Sequence, residues 1–103
     1  MTNILEHRII LDFMDIIILK HLKDNHPMSG YDVVKYLHQK FHILPSAGTV
    51  YSLLYALERR NFIEGTENQN KRVYKLTQEG EKFLEKINGT KDNINTTFSS
   101  IFY

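Results

Sequence analysis

Between Asn61 and Leu76 the apolar pattern changes period, and that change limits the fold more than any other feature of this 103-residue chain. Upstream, apolar residues recur at helical spacing. Here Phe62-Ile63-Glu64 and Arg72-Val73-Tyr74-Lys75-Leu76 read as two short strands around the polar turn Asn68-Gln69-Asn70. A chain of this length has room for one domain, so the hairpin must share a core with the helices around it. The fold class expected is mainly α with a small β-hairpin.

Three helices precede the hairpin. Residues 3–23 carry apolar Phe13, Met14, Ile17, Ile18 and Leu22 between charged Asp12, Asp15, Lys20 and Lys23, with Asn3 and Glu6 spaced as a capping box. Ile9, Ile10, Leu11, Ile16 and Leu19 widen the stripe, which predicts a central helix. Pro27, after Asn25-His26, stops it. Ser29 caps a second helix with Asp32 at its third position and Val34, Leu37 and Phe41 as the core face.

Pro45 breaks the chain again, and Ser46 caps residues 47–60, the cleanest amphipathic segment, which should bury Val50, Leu53, Leu54 and Leu57. Its other face carries Gly48, Tyr51, Ser52, Tyr55 and Arg59. After the hairpin, Thr77 caps a last helix in which Leu84, Ile87, Lys91, Ile94, Phe98 and Ile101 fall at heptad a and d positions, Lys91 being the polar exception. Gly89 and the Asn/Thr/Ser-rich composition weaken this helix, so its order should depend on a partner surface.

Three helices followed by a two-stranded wing is the layout of a winged helix-turn-helix, here with one more helix after it; the third helix of such a fold enters the DNA major groove and the wing grips flanking backbone. Residues 1–76 are expected to form the reading domain and 77–103 the dimerisation helix, as one structural unit. The net charge of +1 does not by itself indicate nucleic acid. Its distribution does, since residues 46–76 place Arg59, Arg60, Lys71, Arg72 and Lys75 against Glu58, Glu64 and Glu67.

Other chemistries find little in the chain. Without Cys there is no disulfide, thiolate metal site or thiol nucleophile. His38 and His42 stand four apart with no third ligand, and an exposed helical face is the simpler reading. No nucleophile and base, phosphate-binding glycine loop or paired carboxylates stand in a recognisable frame, so no enzyme, cofactor or metal is expected. The apolar run from Ile9 to Leu19 is interrupted by Asp12 and Asp15 and is too short to span a bilayer, which predicts a cytoplasmic protein.

Several runs also resemble a known family. Ser29-Gly30-Tyr31-Asp32, Ser46-Ala47-Gly48-Thr49-Val50-Tyr51, Leu53-Leu54, Leu57-Glu58, Phe62-Ile63 and Lys71-Arg72-Val73-Tyr74-Lys75-Leu76-Thr77-Gln78-Glu79-Gly80 are similar, in that order, to the PadR-like transcriptional regulators. The resemblance covers about residues 13–84. It implies a cytoplasmic homodimer, usually a repressor, that joins through its C-terminal helix, binds double-stranded DNA at a pseudo-palindromic operator and is often tuned by a small molecule. At Ser52, Tyr55 and Ala56 the chain departs from the Pro and two Arg common in the family.

With that resemblance, Ser46, Thr49, Tyr51 and Ser52 at the start of the third helix become candidates for phosphate contact, against the plainer reading of a hydrated helix end. Tyr55 and Arg59 could read bases or touch phosphate. Lys71 and Arg72 are wing contacts or solvated hairpin charges, and Tyr31 reaches DNA backbone or packs as a core aromatic. A cavity between the first and last helices would take an apolar or aromatic effector, with Phe13, Phe98 and Phe102 lining it because the chain has no Trp. The alternatives are a winged-helix module that binds protein through the heptad tail, and a non-specific architectural DNA binder.

Overall fold

The structure, a computed structural model, describes residues 3–25 and 27–103. His26, part of the expected stop after the first helix, lies outside the described residues. The order is α1 (Ile4–Asp12), α2 (Met14–Asp24), β1 (Met28–Ser29), α3 (Gly30–Phe41), α4 (Ala47–Arg59), β2 (Ile63–Asn68), β3 (Lys71–Leu76), α5 (Gln78–Asn88) and α6 (Lys91–Phe102). This is a winged-helix fold. No described helix is long and apolar enough to cross a membrane.

The long first helix expected from the sequence is two helices. Phe13, at φ −110° and ψ 20°, bends the chain. Its N–H still donates to the Ile9 carbonyl at 3.0 Å and its carbonyl accepts from Ile17 N–H at 3.1 Å. The bend separates two packing tasks: α2 buries Met14, Ile18, Leu19 and Leu22, whereas α1 has no fully buried residue and sets only Ile10 partly against the core. Only the second half of the segment is therefore central.

Ser29 ties sheet to helix. As a strand residue it pairs with Val73 of β3, and as the N-cap of α3 its Oγ accepts the Asp32 N–H at 3.2 Å while its own N–H donates to Asp32 Oδ2 at 3.0 Å. This reciprocal capping box satisfies two orphan donors of the helix end. Val33 and Leu37 are fully buried and Val34 only half-buried, so the core face is rotated one residue from the expected one. The reason is that Val33 and Leu37, four apart, share the face that meets α4 and the sheet.

The Ser29 N–H holds the Asp32 carboxyl below its ordinary value of 3.8. A depressed carboxyl contributes stability that is complete above the unfolded value and is lost as pH falls through the folded one. Asp32→Asn should therefore melt a few degrees below the parent at neutral pH and together with it at about pH 2. Thermal unfolding followed by circular dichroism checks this, and a gap that persists in acid would remove the carboxylate from the account.

The C-terminus of α4 closes with a left-handed residue, Asn61 at φ 63°. Phe62 N–H donates to the Leu57 carbonyl at 3.0 Å and Asn61 N–H to the Glu58 carbonyl at 2.9 Å, the paired bonds of a Schellman motif. That stop aims β2 directly off the helix. The sheet is antiparallel in the order β1-β3-β2, one strand more than expected, because the two residues of β1 are too few to show a period. The hairpin register runs from Ile63 opposite Leu76 to Asn68 opposite Lys71. Gln69 and Asn70 form the two-residue loop with φ of 51° and 67°, the positive values of a type I′ turn.

The core lies between α2, α3, α4 and the sheet, with Leu19, Leu22, Leu37, Leu54 and Tyr74 fully enclosed. The single last helix expected after Thr77 is broken at Gly89-Thr90, where Thr90 Oγ1 donates to the Ile87 carbonyl at 2.8 Å. The heptad positions therefore do not form one continuous stripe. Leu84 is buried in the core of its own protomer and Ile87 is half-buried beside Ile16 and Lys20 of α2. On α6 the hydroxyls of Thr96, Thr97 and Ser100 donate back to the carbonyls of Asp92, Asn93 and Thr96 at 2.8–3.0 Å, so its polar composition is satisfied within the helix.

Candidate nucleic-acid interface

One face of α4 is packed and the other is open. Val50, Leu54 and Leu57 fill the core, and the same 3.6-residue period sets Gly48, Tyr51, Ser52, Tyr55 and Arg59 in a row on the solvent side. At the start of the helix Ser46 Oγ accepts the Thr49 N–H at 3.1 Å and lies 2.8 Å from Thr49 Oγ1. Both hydroxyls are exposed. Added to the positive end of the helix dipole, they suit an anionic oxygen.

Tyr51 lies across the start of α3. A Cβ on Gly30 would stand 2.5 Å from Tyr51 Cε1 and 2.7 Å from its hydroxyl oxygen, so only glycine lets the ring lie there. The N-terminal turns of α3 and α4 meet through this contact. Tyr51 keeps 39% of its surface and Tyr31, beside Gly30, keeps 68%, which excludes the core reading of Tyr31.

The wing runs beside this face. Lys71 is exposed next to the tip, whereas Arg72 is half-buried and engaged. Its Nη2 lies 2.6 Å from Glu58 Oε2 and its Nη1 3.7 Å from Glu67 Oε1. The hydrogen bond to Glu58 raises the guanidinium pKa further, and burial pushes the Tyr74 phenol up. Arg60 is occupied elsewhere, 4.6 Å from the Phe62 ring and 5.5 Å from Phe83, capping the stacked pair. Arg59 and Lys71 form no ion pair with any described residue. The open positive charge near the helix and the wing tip is thus narrower than the sequence count of basic residues suggests.

A second surface is apolar. Between α1 and α6 runs a groove of about 560 Å³ lined by Leu5, Ile9, Phe13, Ile94, Phe98 and Phe102, among others. Phe98 and Phe102 stack with centroids 5.8 Å apart. The three effector candidates, Phe13, Phe98 and Phe102, therefore meet in one place. Ile94, Ile101 and Phe102 stay exposed, as do Ile4 and Leu5 opposite, and Lys91 opens α6 in solvent. His38 and His42 are exposed at the end of α3.

Sequence reasoning overlooked Glu58 and Gly65. Leu57-Glu58 stood among the family-like runs, but no local spacing links Glu58 to a basic residue 14 positions away across a turn.

Residues 18–86 match the model of the transcriptional regulator PadR-like family. Among solved structures, the chain is similar to a PadR family transcription regulator from Clostridium difficile, at 25% identity and a TM-score of 0.76 over 88% of this chain and 99% of that one. A PadR-like transcriptional regulator from Bacillus cereus shares the fold at 21% identity and a TM-score of 0.77, over 91% and 95%. A transcriptional regulator from Clostridium thermocellum does so at 22% and 0.77, over 93% and 96%. Among curated proteins none matches.

Proposed function

This chain belongs to the PadR-like family of transcriptional regulators, and from that premise we propose that it works as a cytoplasmic homodimer, a repressor that reads a pseudo-palindromic operator. The observation that carries this is the open row Gly48, Tyr51, Ser52, Tyr55 and Arg59 on α4, with the wing alongside it. In this reading α4 of each protomer enters successive major grooves about 34–36 Å apart. Ser46 and Thr49 hold phosphate at the helix start, Tyr31 reaches backbone, Tyr55 and Arg59 meet base edges or phosphate, and Lys71 holds the flanking strand.

A second copy is the proposed occupant of the apolar face of α1 and α6. These helices bury no residue within the protomer, and a small domain of this size gains stability most readily by sharing core. Residues 1–76 then carry the reading surface, while the contact within 77–103 falls on α6, through Ile94, Phe98 and Ile101. An apolar or aromatic effector would enter between Phe13, Phe98 and Phe102, where it would compete with or wedge that contact.

Fluorescence anisotropy tests the function directly, with labelled duplexes of the chain's own upstream DNA and of random sequence at several salt concentrations. The expected result is a preference of about a thousandfold for the upstream duplex with a steep salt dependence. Equal binding to both duplexes would instead indicate an architectural DNA binder, and absence of binding even at low salt a protein-interaction module.

A further inference from the structure

Glu58 sits near the C-terminal end of α4, on the side that faces the wing. One carboxylate oxygen, Oε2, accepts from Arg72 Nη2 on β3 at 2.6 Å and from the Gly65 N–H on β2 at 3.3 Å. A single oxygen thus joins the helix to both strands of the hairpin. Gly65 makes room for it: a Cβ there would lie 2.7 Å from Arg72 Nε and 2.8 Å from its Cζ. Below, the guanidinium carbon is 5.8 Å from the centroid of the buried Tyr74 ring. Arg72 is therefore flanked by a carboxylate on the helix, a bare backbone in β2 and an aromatic in its own strand.

We infer that Glu58 and Arg72 form a brace that fixes the angle of the wing to the DNA-reading helix, so that Arg72 acts as a positioning residue for specificity and not as a phosphate clamp. A charge-assisted hydrogen bond between half-buried groups holds direction as well as distance. Because the pair is internally neutral, it adds little to the sequence-independent attraction of DNA, which depends on the number of phosphates neutralised. Its contribution is to hold the wing tip and the row on α4 in one frame, which specific binding needs and non-specific binding does not. The functional part of this inference rests on the DNA-reading assignment above; the brace itself does not.

Glu58→Met separates the possibilities, since methionine keeps helix propensity and length while removing the acceptor and one negative charge. With the brace, operator binding should weaken by about tenfold, equivalent to 1.4 kcal/mol, while random-sequence binding holds or tightens as the unpaired Arg72 becomes available to phosphate. Operator binding that holds or tightens would overturn the inference, because it would show that the wing keeps its angle to the helix without Glu58. Glu58→Gln retains one acceptor oxygen and should fall between parent and Glu58→Met. The Gly65 amide should exchange with solvent faster in Glu58→Met at unchanged global stability, and unaltered protection there would also overturn the brace. If the parent itself does not discriminate between duplexes, the operator assignment fails while the amide measurement still decides the brace.

Discussion

Gly80→Ala will lower the thermal midpoint by roughly 10–20 °C, the consequence of about 2–3 kcal/mol of overpacking in a domain this small. Gly80 is buried in the first turn of α5. A Cβ there would run into the carbonyl oxygen of Phe62 and stand 2.6 Å from Leu76 Cδ1. The leucine can turn aside but the carbonyl cannot, since it accepts the Thr77 N–H at 3.0 Å where β3 gives way to α5. Thr77 is pinned as well, with Oγ1 donating to the Asn61 carbonyl at 2.6 Å and accepting from Gly80 N–H at 3.0 Å. The start of β2, the cap of α5 and the end of α4 would all have to shift to admit one methyl group.

Gly48→Ala is the control that isolates this clash. Gly48 is also helical, but a Cβ there would meet only Ser46 Oγ at 3.9 Å, so alanine should stabilise by about 0.4–1 kcal/mol through the unfolded chain. Differential scanning calorimetry of both variants checks the pair. A Gly80→Ala midpoint within about 3 °C of the parent would show that the α5 junction is soft.

Phe98→Asp will convert the proposed homodimer to a monomer and weaken operator binding by about 10²–10⁴, the loss expected when two linked half-site contacts become independent. Phe98 lies half-buried in the α1 and α6 groove, stacked on Phe102. A carboxylate there would lose its hydration in a largely apolar interface, which costs more than the contact returns. The protomer should stay folded, because α6 contributes no buried residue to it. Light scattering at micromolar concentration measures the assembly and anisotropy the affinity. A dimer that survives the substitution would move the partner surface away from α6.

Much of this molecule is written in local spacing. The caps at Asn3, Ser29, Ser46 and Thr77, the buried Val50, Leu54 and Leu57 of α4 (Leu53, expected with them, is half-buried) and the polar turn of the wing were legible, because each depends on residues within about four positions. The open row on α4 followed from its packed row, and so did the candidate interface. What the sequence alone determined is therefore the identity and order of the elements from α3 onward to the wing, and which face of the reading helix is free.

The tertiary structure decided the rest. The bend at Phe13 and the break at Gly89-Thr90 leave the apolar period running through them, and they are seen only once the core has claimed Met14 and Leu84 and left Ile4, Ile94 and Ile101 outside. Strand β1 exists because Met28 and Ser29 find Tyr74 and Val73, not because two residues carry a pattern. Arg72 reads in the chain as a free wing cation, yet Glu58, 14 residues earlier, takes its charge through a space that Gly65 leaves open. Period and capping are short-range properties of a chain, whereas a charge pair and a missing Cβ acquire meaning only when folding has set the distance between them.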